Sequence, residues 1–296
     1  MQNTGRPVNG RRPSPYDHPQ RNLGTYKPKP NQRYVAQQEG MKVEFRSDDF
    51  MQGPPNHTAE DFKKPRLRKC PLRLDTVKWR SATKLGDGAD GCAWKVAFGK
   101  EGTFVLKVFW DLQAPQISNG YFAPQRECQN AAILQMIEAV LEEGPVHLPF
   151  EYPDTQEQAM ANMLAFSVPR ENMEQRPEVR SPRAVLSRSP SLRRYYGWLD
   201  FDYNFDLIKR MPPEIRPAPR KTDKPPRSMT PGNTYHAIVY EYIPEDENEP
   251  ESIKALLRFF TSSASASRAH LESKIGKVAD LWMARMLFTQ GASVGT

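Results

Sequence analysis

The sequence predicts an α+β domain, a five-stranded antiparallel sheet with one main helix. Three observations carry this. Short β-branched and aromatic runs recur along the middle of the chain, each bounded by glycine, proline or polar residues. One long run with apolar residues at helical spacing falls between the third and fourth of them. The 28 prolines and a mean hydropathy of −0.72 then limit how much of the 296 residues a core can absorb, which assigns the flanks and connections to unpacked segments.

The elements follow in order. Residues 1–70 read as a disordered basic arm rich in Pro, Arg and Asn. Within it, residues 63–69 (KKPRLRK) pack five cations into seven positions, a pattern shared by nuclear import signals and solvated linkers. TVKWRSATKL (76–85) alternates loosely and is read as the first strand. CAWKVAF (92–98) is the second, followed by a turn at Gly99 and Gly102. TFVLKVFW (103–110) is the third, with Phe104, Leu106 and Val108 on one face and Val105, Lys107 and Phe109 on the other. The helix follows, with Pro124 in its first turn, apolar positions from Ala131 to Leu141, and Gly144 as its stop. A shorter helix is expected over 155–165. RYYGWLDFDYNF (194–205) and YHAIVYEYIPE (235–245) complete the sheet, and SIKALLRFF is read as helical. Two insertions interrupt the domain, at about 168–193 and 208–233. The first carries Ser-Pro steps at Ser181 and Ser189, which are candidate phosphorylation sites within a plain loop.

The net charge is +7 and the pI about 9.2, which favours acidic partners without naming one. Cys70, Cys92 and Cys128 are widely spaced and odd in number, as expected of reduced thiols. No apolar run reaches the length of a membrane span, and no signal-peptide core opens the chain.

Gly86, Gly88 and Gly91 form a G-x-G-x-x-G window between two strands. A dinucleotide fold needs a helix after that loop. Strand, glycine loop, strand is instead the arrangement that covers ATP phosphates in protein kinases. Lys107 lies within the third strand and Glu127 in the first turns of the next helix. A cation in so apolar a strand needs a partner, and Glu127 is the candidate.

On these residues, with the two later strands, the chain resembles the N-terminal lobe of a protein kinase. The resemblance implies that Gly86, Gly88 and Gly91 roof a nucleotide and that Lys107 pairs with Glu127. It also implies that Tyr240 backs the adenine pocket and that the backbone of Glu241 and Ile243 meets the base, with ATP as the one candidate cofactor. Cys92-Ala93 departs from the β-branched residue usual after the third glycine. Neither an HRD…N loop nor a DFG segment occurs after residue 245: His270 is followed by Leu-Glu, and Asp280 stands alone. About fifty residues after the hinge do not make a C-terminal lobe. The resemblance therefore implies a chain without a catalytic aspartate or metal ligand.

QRECQNAA (125–132), YGW (196–198) and IVYEY (238–242) further resemble the fungal kinase-like subunits of the inner-kinetochore Sim complex. That implies a nuclear, centromere-associated, non-catalytic interaction module working with protein partners. Beyond Phe260 the likeness ends. Residues 261–296 are read either as a frameshifted or mis-spliced tail or as an amphipathic helix through Ile275, Val278, Leu281, Trp282 and Met286. A three-frame reading of the gene separates the two. The competing functions are an ATP-binding kinase fragment or remnant, and a nucleic-acid or chromatin binder acting through the basic arm. The arm has few aromatics for base stacking (Tyr16, Tyr26, Tyr34).

Overall fold

The structure is a computed structural model that describes residues 39–115, 122–150, 153, 155–167, 184–187, 193–219 and 227–244. The remainder of the basic arm, both Ser-Pro steps, SIKALLRFF and residues 261–296 lie outside the described residues.

The fold is α+β around a mixed seven-stranded sheet in the order β1-β2-β8-β9-β5-β4-β3. Five neighbouring strands are antiparallel: β3 (Thr83–Asp87), β4 (Gly91–Ala97), β5 (Thr103–Phe109), β8 (Tyr195–Tyr203) and β9 (Asn233–Glu241). The other two are parallel additions, β1 (Arg46–Phe50) and β2 (Leu67–Lys69). A separate pair joins β6 (Val146–Leu148) to β7 (Ala184–Leu186).

β1 and β2, with the short helix α1 (Ala59–Lys63) between them, fall in the region assigned by sequence to the arm. They fold because apolar residues there find a core. Phe62 and Leu67 are buried, and Thr58 caps α1 with Asp61 in a reciprocal capping box. Gly197 permits the joint: a Cβ there would stand 2.6 Å from the Arg68 carbonyl oxygen, and its φ is 108°. Trp198 then binds both added strands. Its carbonyl accepts from the Cys70 N–H at 2.7 Å, and its indole N–H donates to the Ser47 carbonyl at 2.7 Å. The run 63–69 is therefore not a free peptide. Leu67 is fully buried, and the Arg68 guanidinium donates to the carbonyls of Gln52, Gly53 and Pro54.

The first strand begins later than expected. Residues 74–76 and 79–81 form single 3₁₀ turns that drop Val77 and Trp79 into the core, and only Thr83–Asp87 pairs with β4. Part of the second insertion is also folded. Helix α4 (Phe205–Arg210) and the turn Pro213–Ile215 bury Leu207, Met211 and Ile215 over the sheet. The Trp94 indole donates to the Ile215 carbonyl at 2.8 Å.

β5 alternates as its sequence dictates. Phe104, Leu106 and Val108 enter the aromatic core with Trp79, Trp94 and Phe201, while Val105 and Phe109 face the long helix α2 (Ala123–Glu143). Helix α2 is buried on two sides. Ala123, Cys128 and Ala131 meet the sheet, and Met136, Ile137, Val140 and Leu141 meet Phe62, β6 and the end of helix α3 (Gln156–Leu164). Among the described residues no helix is long and apolar enough to cross a membrane.

Candidate functional site

Lys107 stands on the α2 face of β5, 5% exposed. Its ammonium donates to Glu127 Oε2 at 2.6 Å, and the Tyr240 hydroxyl donates to Glu127 Oε1. The sheet supplies Lys107 and Tyr240 from adjacent strands, and α2 supplies Glu127. The start of α2 is fixed by Gln125, whose amide donates to the carbonyls of Gly40 and Val43 at 2.9 Å each. Burial pushes Lys107 down and Glu127 up, toward their neutral forms, and the ion pair and its hydrogen bond oppose both shifts. Burial, then the Glu127 charge, pushes the neighbouring Tyr195 hydroxyl up.

The glycine window is a tight turn between β3 and β4, closed by its own backbone. The Gly88 N–H donates to the Gly91 carbonyl at 2.7 Å. Trp110 holds the turn twice: its indole donates to the Gly88 carbonyl at 3.1 Å and its backbone N–H to the Asp90 carbonyl at 3.0 Å. Arg227 donates to the Ala89 carbonyl at 2.6 Å and pairs with Asp111 at 3.5 Å. Four consecutive carbonyls, 88 to 91, are thus engaged. Gly91 has a steric role, since a Cβ would come 2.2 Å from the Val108 carbonyl oxygen. Gly86 and Gly88 are exposed, and a Cβ on either meets nothing closer than 3.6 Å.

The hinge candidates lie at the far end of β9. Glu241 pairs with Phe104 across β5, its N–H donates to the Arg194 carbonyl at 2.8 Å, and its carboxylate accepts the Arg194 N–H at 3.1 Å. Ile243 follows, half-buried. Between them Tyr242 packs with Leu85 and Ala93 against the core that holds Val105, and Lys95 stacks its ammonium 4.0 Å from the Tyr242 ring centroid.

The structure thus brings Lys107 and Glu127 together, and sets Gly91 against β5. Sequence reasoning missed Asp90, Trp110 and Arg227. Asp90 is 3% exposed, and its charge bears on both Lys107 and Glu127. A carboxylate at the fifth place of the window was the available signal.

These residues do not fit the phosphates of ATP. A phosphate cradle needs backbone N–H groups free to turn outward, and the Gly88 N–H is spent inside the turn. Asp90, within the window, is buried and carries negative charge that bears on Lys107. The glycine most demanded by space serves strand packing. No group of three or more metal-ligating side chains is assembled among the described residues. The three thiols are buried, and burial pushes Cys70 up to about 12, which keeps it protonated and unreactive at neutral pH.

No family model matches this chain, and neither the curated proteins nor the solved structures contain a match to it.

Proposed function

We propose that this chain is a non-catalytic, protein-kinase-like interaction module, a pseudokinase lobe that serves in a nuclear assembly of the inner-kinetochore type. The observation that carries the reading is the buried ion pair of Lys107 with Glu127, 2.6 Å long, joining the third antiparallel strand to the main helix. Buried charge is costly unless paired, and a pair in this position is what the kinase resemblance requires. The closed glycine turn supports the non-catalytic half of the reading, as does the lack of HRD and DFG strings.

The basic run 63–69 lends no support to nuclear import through an extended peptide, because it runs from the last residue of α1 through β2, with Leu67 in the core. The nuclear assignment rests instead on the QREC, YGW and IVYEY likeness. Affinity purification of the tagged full chain from nuclear extract, with mass spectrometry, is expected to recover a stable set of centromere-associated proteins. A parallel assay with radiolabelled ATP and Mg²⁺ is expected to show no phosphoryl transfer. Transfer that disappears in Lys107→Met would replace this reading with an active phosphotransferase.

A further inference from the structure

β4 separates two unequal faces. Cys92, Trp94 and Val96 enter the aromatic core at 1% exposure or less. Ala93, Lys95 and Ala97, which alternate with them, are half-buried. The difference follows from the position of α2, which lies chiefly against β2, β8 and β9. Beside it, Leu85 of β3, Ala93 of β4 and Tyr242 gather against Val105 of β5 as an apolar patch. Lys95 lies on the same face, its ammonium 4.0 Å from the Tyr242 ring centroid.

Tyr242 is also where the chain leaves the sheet. β9 ends at Glu241, and the described residues end at Pro244. The next seven residues, EDENEPE (245–251), carry five carboxylates, opposite in sign to Lys95. After them Ile253, Leu256, Leu257 and Phe260 recur at i, i+3, i+4 and i+7, with Lys254 and Arg258 on the other side. The lengths match. From β9 through β5 and β4 to β3 is about 14 Å at the usual strand spacing. A nine-residue helix spans about 13.5 Å, and a seven-residue linker reaches up to about 25 Å.

We propose that residues 252–260 dock as an amphipathic helix on the patch of Leu85, Ala93, Val105 and Tyr242, so that the chain caps its own sheet. Ile253, Leu256, Leu257 and Phe260 face the patch, and Lys254 and Arg258 face solvent. A segment on so short a tether meets this site at an effective concentration on the order of millimolar, ahead of a second copy or a free partner. The cap uses neither Lys107 nor Glu127 and does not depend on the kinase-like reading.

The test uses the full chain. Cys70, Cys92 and Cys128 are buried, so a cysteine introduced at Ala93 is the accessible thiol on this face. Ala93→Cys is paired in turn with Leu256→Cys, Phe260→Cys, Lys254→Cys and Arg258→Cys, and treated with a short bismaleimide. Intrachain cross-linking is expected to be several-fold faster for Leu256→Cys and Phe260→Cys than for the other two. Leu256→Glu/Phe260→Glu is read by hydrogen exchange. Amides of residues 83–97 are expected to exchange about tenfold or more faster than in the parent, as the loss of two buried apolar side chains implies. Amides of β8 should stay unchanged, which separates loss of the cap from loss of the fold. If that variant does not fold, the cross-linking comparison decides. Three results overturn the proposal. Equal cross-linking at the four positions is the signature of an undocked tether. Cross-links formed only between two copies assign the face to a second chain. Unchanged exchange at 83–97 in the folded variant leaves the face to a separate partner or to solvent. None of these touches phosphoryl transfer, the measurement that decides the non-catalytic reading.

Discussion

Lys107 and Glu127 share the buried sheet face as a pair: the ammonium donates to one carboxylate oxygen and the Tyr240 hydroxyl to the other. Removing one partner strands the other. Lys107→Met is therefore expected to cost about 3–5 kcal/mol, read as a lower urea midpoint at unchanged slope. Adding Glu127→Gln should recover part of that loss, since the uncompensated charge is then gone; no recovery would mean the pair does not act as a unit. Gly91 makes a sharper test of what the glycine window is for. Gly91→Ala drives a Cβ into the Val108 carbonyl and is expected to cost about 1–3 kcal/mol or more. Gly88→Ala, which meets only ordinary contacts, should change stability by less than about 0.5 kcal/mol. Equal losses at the two positions in thermal denaturation would contradict the steric account.

At the scale of elements, His236 ties β9 to three neighbours. Its ring packs edge-on against Phe45 and Phe122, Nδ1 accepts from Arg46 of β1, and Nε2 donates to the Leu112 carbonyl. Arg46 in turn pairs with Asp200 of β8 at 2.9 Å. Burial, then Arg46, pushes His236 below its ordinary value of about 6.5. The folded state thus binds its proton less tightly than the unfolded chain. The stability His236 confers is present above about pH 6.5 and is lost as pH falls from there through the folded value. Melting temperature should fall on acidification across that window, and His236→Gln should flatten the fall; an identical pH profile in the variant would exclude the mechanism. The strands β4, β5, β8 and β9 and the helix α2 were legible because each carries its own period; β6 and β7, three residues each, were not expected, and β7 falls in the stretch read as the first insertion. Phe104, Leu106 and Val108 against Val105, Lys107 and Phe109 is a local alternation that tertiary context had only to accept. β1 and β2 were not legible. Their residues are charged on most positions, and Leu67 is core only because Gly197, more than a hundred residues later, lets the backbone approach. The Lys107–Glu127 pair was legible because an apolar strand advertises a misplaced cation. Trp110 and Arg227 were silent, because each acts on a carbonyl, which the sequence does not show.

Among the described residues the main sheet is covered on both faces, by α2 on one and by the 3₁₀ turns with α4 on the other. The domain boundary at residue 71 expected from composition cuts through this sheet. A chain beginning at residue 71 loses β1, α1 and β2, uncovers Trp198 and removes Phe62 from its packing against Met136, Ile137 and Val140 of α2. It is expected to be insoluble or to melt well below a chain beginning at residue 39; comparable melting curves for the two would place the boundary back at residue 71. The central position of β9 has a further consequence for how the protein is made. β9 is the last described strand to leave the ribosome, yet it is the one that joins β5 to β8. Until residue 241 has emerged, both of those strands present an unpaired backbone edge, and the aromatic core between them stays open. Nascent chains stalled before β9 should therefore depend on chaperones for their solubility, and chains released just after it should not.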